Sequence, residues 1–168
     1  MKQRNSEAAK HVRGKLLDIG CNHGELKAFL PPGTDYSGID IHPEKGPIKF
    51  PYKQASAEES LKALGKFDSA TMIAVIEHLK RPELALRNVG EILNNKGRII
   101  ITTPSKLGGK IHALGSGIGL ASSFAAEDHQ KIFSLGELEA LLEKNGFAII
   151  ESKKFLFGLN LLIVGEKN

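Results

Sequence analysis

At 168 residues the chain is about one domain's worth, and a single core of that size buries roughly two-thirds of the surface exposed when unfolded, so no staple is required. Apolar residues make up 41% and charged residues 25%, and the longest apolar stretch, residues 155–164, is broken by Gly158 and Asn160, well short of the roughly 20 residues a membrane helix needs. The 23 Lys and Arg against 19 Asp and Glu leave only +4, a weak pull toward anionic partners.

Cys21 is the sole cysteine and cannot close an intramolecular disulfide, and the opening MKQRNSEAAKHVRGK has no apolar core of the secretory kind. A cytoplasmic placement is expected. Much of the positive excess can be ascribed to Lys2, Arg4, Lys10, Arg13 and Lys15, on a solvated tail or short helix over residues 1–13.

In chain order, KLLDIG (15–20) reads as a short buried strand ending in glycine. A helical stretch over 25–30 is stopped by Pro31-Pro32, and YSGIDI (36–41) is a second strand. Residues 57–64 read as a short helix and FDSATMIAVI (67–76) as a long buried strand. A helix follows with Pro82 in its first turn and Leu84, Val89, Ile92 and Leu93 as apolar positions, ending before Gly97. RIIIT (98–102) is a strand. Ser134-x-x-Glu137 spells a capping box ahead of Leu135, Leu138, Leu141 and Leu142, and Gly146 stops that helix. Two strand-like segments, 147–155 and 159–165, lie too close in sequence for a crossover helix and are expected to pair antiparallel.

Alternating strands and helices predict one α/β domain over 1–168, a Rossmann-like parallel sheet with helices on both faces. In such sheets ligands sit at the carboxyl ends of the strands, here the residues after Ile19, Ile39, Val75 and Thr102. The first of these loops, Asp18-Ile19-Gly20-Cys21-Asn22-His23-Gly24, lacks the G-x-G-x-x-G spelling of a dinucleotide cradle. It is expected to set the Asp18 carboxylate at its mouth, repelling phosphate and suiting a ligand with an ammonium and a sulfonium. That logic favours S-adenosylmethionine over NAD. Asp40, ending the second strand, can accept hydrogen bonds from both ribose hydroxyls. The bland alternative is that Gly20 and Gly24 merely shape a turn that Asp18 caps.

LLDIGCNHG, GIDI, FDSATMIAVIEHLKRPELALRNVGEILNNKGRIIITTPS and HQKIFSLGELEALLEKNGF together resemble the motifs of class I S-adenosylmethionine-dependent methyltransferases, in particular the small type 11 group. The resemblance covers about residues 15–155. It implies seven strands in the order 3-2-1-4-5-7-6 with the seventh antiparallel, and a cofactor set of Asp18, Gly20, Cys21, Asn22, Gly24, Asp40, Ile41, Ser56 and Ala57. Asn22 stands where the family usually has glycine, and asparagine tolerates left-handed backbone better than most residues. Ser56, with Glu58 close by, stands where the family often has an adenine-binding aspartate.

Methyl transfer from a sulfonium needs a dry site and a nucleophile held about 3–3.5 Å from the methyl carbon. A hydroxyl acceptor also needs a base, and histidine titrates in the right range. His129 is the first choice, His78 the second and His112 the third. Glu77-His78 also resembles the E-x-x-E-H metal site of small-RNA 2′-O-methyltransferases, but Ala74 replaces its first glutamate, and no metal is assigned. Residues 105–126, glycine- and serine-rich yet carrying Ile111, Leu114, Ile118, Leu120 and Phe124, read as a lid over the acceptor. The expected activity is methylation of a small molecule at oxygen, with nucleic acid not the expected partner and the oligomeric state open. An RNA 2′-O-methyltransferase and a catalytically inactive cofactor-binding partner subunit are the alternatives.

Overall fold

The computed structural model describes residues 2–43, 46–108 and 131–168. Four parallel connections build the first part of the sheet: β1 (Leu16–Ile19), β2 (Tyr36–Asp40), β3 (Tyr52–Gln54), β4 (Phe67–Ile73) and β5 (Leu93–Pro104). The chain then reverses through β6 (Phe147–Phe155) and β7 (Asn160–Lys167), and β7 inserts antiparallel between β5 and β6. The strand order is β3-β2-β1-β4-β5-β7-β6. This is the expected Rossmann-like sheet.

Helices lie on both faces, as their apolar stripes require. On one face α2 (Pro82–Ile92) and α3 (Leu135–Lys144) bury Ala85, Leu86, Val89, Ile92, Leu138 and Leu142 against Leu17, Ile19, Ile99 and Ile101. Pro82 opens α2 at a position where its missing N–H costs nothing. Ser134 and Glu137 form the reciprocal capping box at α3. On the other face α1 (Lys2–Ala9) packs Ala8 against Ile100, Leu162 and Val164, and Ala9 against Leu16 and Tyr36. The basic N-terminal stretch is thus a docked helix over these residues rather than a solvated tail, because two small alanines and a buried Asn5 let it lie close to the sheet.

Several boundaries differ from expectation for local reasons. β4 stops at Ile73 instead of Ile76 because Ala74 turns left-handed (φ 56°), after which Ile76–His78 forms a 3₁₀ turn. Residues 25–30 tighten into a 3₁₀ turn, Glu25–Phe29. The expected helix over 57–64 is reduced to a 3₁₀ turn at Lys62–Leu64. Side chains take up the backbone there: Asn88 Nδ2 donates to the Ala57 carbonyl (2.9 Å), and Ser56 Oγ accepts from the Glu58 N–H (3.1 Å). β3, which periodicity did not single out, is a three-residue edge strand exposed along most of its length. Among the described residues no helix is long and apolar enough to cross a membrane.

Ser134→Ala removes the hydroxyl that accepts from the Glu137 N–H and should cost about 1 kcal/mol, read as a lower urea midpoint at unchanged slope. An unchanged midpoint would show that Glu137 alone suffices as the cap.

Candidate active site

The carboxyl ends of β1, β2 and β4 form one side of a cleft. After Ile19 the chain turns at Gly20 (φ 72°), whose N–H and that of Cys21 donate to the Ile39 carbonyl at 2.8 and 3.1 Å, fastening the loop to the end of β2. A Cβ on Gly20 would stand 2.4 Å from Val75 Cγ2, so glycine here answers both a backbone and a packing demand. Asn22 takes φ 46°, the left-handed geometry read for it from the sequence. Its N–H donates to Asp40 Oδ2 (3.0 Å), and the His42 N–H donates to Asp40 Oδ1 (3.0 Å). The Asp40 carboxylate is therefore clamped between two loops.

The cleft has a volume of about 340 Å³, and Gly20, Asp40, Ile41, Ser56, Ala57 and His78, all expected site residues, line it. Ile19, Ala55, Ala74, Val75 and Leu79 complete the wall, with His42 at its side. Sequence reasoning pointed to the residues after Val75 but did not assign Ala74, Val75 or Leu79 to the site; its longer strand, 67–76, placed the first two inside the sheet. The left-handed kink at Ala74 carries them outward.

Four expected cofactor residues lie elsewhere. Asp18 does not stand at the loop mouth: it is buried within β1 (4% exposed), Oδ1 accepting from Thr71 Oγ1 (2.6 Å) and Oδ2 from the Tyr36 hydroxyl (2.7 Å). Burial raises its pKa to about 6 against the two hydroxyl hydrogen bonds, which pull the other way. Cys21 is buried beneath the loop against Gly38, where a Cβ would come within 2.5 Å of its Sγ. Burial, with Asp18 and Asp40 nearby, pushes the Cys21 thiol up to about 12, which makes it inert. Asn22 acts on the cleft only through its N–H to Asp40, and Gly24 (φ 78°) opens the following turn against Phe50. Glu58 is occupied away from the cleft, accepting the Arg81 N–H at 2.5 Å.

Beyond the cleft, at the ends of β4, β5 and β7, lies a buried polar group. Glu77 is 1% exposed; Oε2 accepts from Thr103 Oγ1 (2.9 Å), and its backbone carbonyl accepts from the Lys131 N–H (3.2 Å). Burial raises its pKa, opposed in part by its own backbone N–H, then by Thr103, His78 and Arg4. Arg4, from α1, donates through Nε to Asn160 Oδ1 (2.6 Å). Neither His129 nor His112 can be placed, since both lie outside the described residues, as does most of the expected lid, residues 109–126. Its described beginning is pinned: Ser105 Oγ donates to the Gly158 carbonyl (2.7 Å) and accepts from the Gly108 N–H (3.0 Å). A second cavity, about 520 Å³, opens there between Leu107, Phe133, Leu135 and Leu161. Among the described residues no three metal-ligating side chains converge.

Residues 2–152 match the family model described as a methyltransferase domain. A ubiquinone biosynthesis O-methyltransferase of Azorhizobium caulinodans is 33% identical over 100 residues, covering 53% of this chain and 40% of that protein. One from Pseudomonas aeruginosa is 28% identical over 101 residues, covering 53% and 44%. The matches thus span less than half the length of these curated relatives. Among solved structures, a possible histamine N-methyltransferase of Thermotoga maritima superposes with TM-score 0.74 at 20% identity, covering 99% of this chain and 89% of that one. The 1,6-didemethyltoxoflavin-N1-methyltransferase of Burkholderia thailandensis does so with TM-score 0.73 at 18% identity, covering 99% and 77%.

Asp18 has a folded pKa near 6 against an ordinary 3.8, so between those values the folded state binds more protons than the unfolded one. Its contribution is most favourable below about 3.8 and is lost as pH rises through about 6. Across that window the parent's stability should fall with pH relative to an Asp18→Asn variant. Parallel pH profiles for the two proteins would remove Asp18 as the source.

Proposed function

The chain belongs to the methyltransferase-domain family, and on that premise we propose that it transfers the methyl group of S-adenosylmethionine to an oxygen of a small-molecule acceptor. The observation that carries the reading is Asp40. Two backbone N–H groups fix its carboxylate at the end of β2, on the wall of the cleft, with lone pairs left for a ribose diol. Ile41, 62% exposed, offers an apolar surface to an adenine, and Ser56 and Ala57 line the same cleft. No phosphate cradle accompanies them: the loop after β1 has carboxylates beneath and beside it, Asp18 and Asp40, a field that suits a sulfonium and an ammonium and opposes a pyrophosphate.

When bound, the cofactor supplies an activated methyl; the chain's own residues exclude water, hold the acceptor and take its proton. Transfer to an oxygen of a small molecule is supported by the relatives named as ubiquinone biosynthesis O-methyltransferases. Among the described residues His78 is the histidine expected to act in proton transfer, it lines the cleft, and we assign it the passage of that proton toward solvent.

Calorimetry should give S-adenosylmethionine binding that Asp40→Ala weakens at least about tenfold, and no NAD binding. Tight NAD binding, or an Asp40→Ala variant that holds S-adenosylmethionine as the parent does, would overturn the assignment. His78→Ala should lower kcat by roughly 10²-fold while changing cofactor affinity much less, and its pH–rate profile should differ in shape from the parent's. An unshifted profile would place the proton path elsewhere.

A further inference from the structure

α1 runs antiparallel to the central strands. In the segment that follows its far end the Arg13 N–H donates to Ser69 Oγ near the start of β4 (2.8 Å), and within its first turn Arg4 reaches Asn160 at the start of β7. Asn160 pairs in register with Pro104, at the carboxyl end of β5. The helix therefore delivers a half-buried guanidinium to the edge where acceptor chemistry is proposed. Burial disfavours that charge, and the group opposing the penalty is the Glu77 carboxylate.

These two groups are within electrostatic reach, yet no hydrogen bond joins them. Glu77 Oε2 is engaged by Thr103, whereas Oε1 is buried without any hydrogen-bond partner. Leaving a buried carboxylate oxygen unpaired costs more than most folds tolerate without a reason. A carboxylate oxygen lacking a donor, with a guanidinium within its electrostatic reach, matches one kind of group best. A hydroxyl donates one hydrogen bond and accepts another; an ammonium cannot accept, and a carbonyl cannot donate.

Resting on the reading above, we propose that Glu77 and Arg4 seat the acceptor's hydroxyl: its hydrogen points to Glu77 Oε1, and its oxygen accepts from the Arg4 guanidinium. In the transfer the O–H bond breaks, the proton goes to Glu77, an oxygen lone pair forms the new O–C bond, and the S–C bond breaks with its electrons staying on sulfur as a neutral thioether. Arg4 steadies the negative charge building on the oxygen. His78, in the electrostatic field of Glu77 and open to the cleft, passes the proton outward. The class of acceptor implied is a phenol or comparably acidic hydroxyl, since a carboxylate is too weak a base for an ordinary alcohol.

The test uses the full chain, S-adenosylhomocysteine and 4-nitrophenol. Calorimetry first establishes S-adenosylhomocysteine binding; 4-nitrophenol is then titrated into that complex and followed by absorbance. The parent complex should bind the phenol, Arg4→Gln should weaken it by about tenfold or more, and Arg4→Lys should recover part of the loss. Glu77→Gln, which keeps the shape but cannot take a proton, should bind the phenol within about threefold of the parent and methylate it at least about 100-fold more slowly. Should Arg4→Gln melt below the assay temperature, the Arg4→Lys affinity, expected several-fold below the parent's, decides. A parent complex that holds S-adenosylhomocysteine but not the phenol, or arginine variants that bind it as the parent does, overturns the inference and leaves the cofactor reading intact. Failure to bind S-adenosylhomocysteine overturns both.

Discussion

The site depends on one clamped carboxylate. Asp40 ends β2, and its two oxygens receive the N–H groups of Asn22, from the loop after β1, and His42, from the loop after β2. Each donor is available only because of local backbone chemistry. Asn22 must sit left-handed to aim its N–H, and Gly20 must turn at φ 72° with no side chain to meet Val75. β1 and β2 must also be in register, Ile19 beside Ile39, for the loop to fasten onto the Ile39 carbonyl. Sheet register, loop conformation and ligand contact are therefore not separable properties, and a change that slips β1 against β2 removes the site together with the pairing.

Electrostatics adds a second layer. Asp18, Asp40 and Glu25 crowd the first loop, and their field shows in its neighbours: the Cys21 thiol is pushed up to about 12 and the Tyr36 hydroxyl is raised as well, burial being the first cause in both. A cluster of acids around one loop is unfavourable on its own account, and a positively charged ligand relieves that repulsion. The acid buried deepest, Asp18, does not touch the cleft, yet it contributes to this field through a medium of low dielectric.

What could be read from the residues alone follows from how local each signal is. The capping box at Ser134, the proline opening α2 and the left-handed Asn22 are set within a few residues of themselves, and each appears where expected. The strand order required long-range information, which only the combined motifs carried. Asp18 was misplaced because strand parity decides its direction. Leu17 and Ile19 face the α2 and α3 core and Leu16 the α1 side, so Asp18, two residues on from Leu16, turns inward to Tyr36 and Thr71. Alternation was legible there; the presence of two hydroxyls across β2 and β4 to make burial tolerable was not.

The N-terminal helix shows the same limit from the other side. Its sequence is polar, with a charge count suited to solvent, and nothing periodic marks it as packed. Ala8 docks on Ile100, Leu162 and Val164, with Val12 and Phe155 packed beside it, and that face exists only once β7 has inserted beside β5. The chain's last strand thus creates the seat for its first helix, and Asn160 on that strand receives Arg4 from that helix. A basic residue that composition assigns to a tail becomes, through contact between the two ends of the chain, part of the edge where β4 and β5 finish. The +4 balance is therefore not simply a surface property. At least one of its charges is held half-buried within reach of Glu77, and the edge where β4 and β5 finish is built from residues about as far apart in sequence as the chain allows.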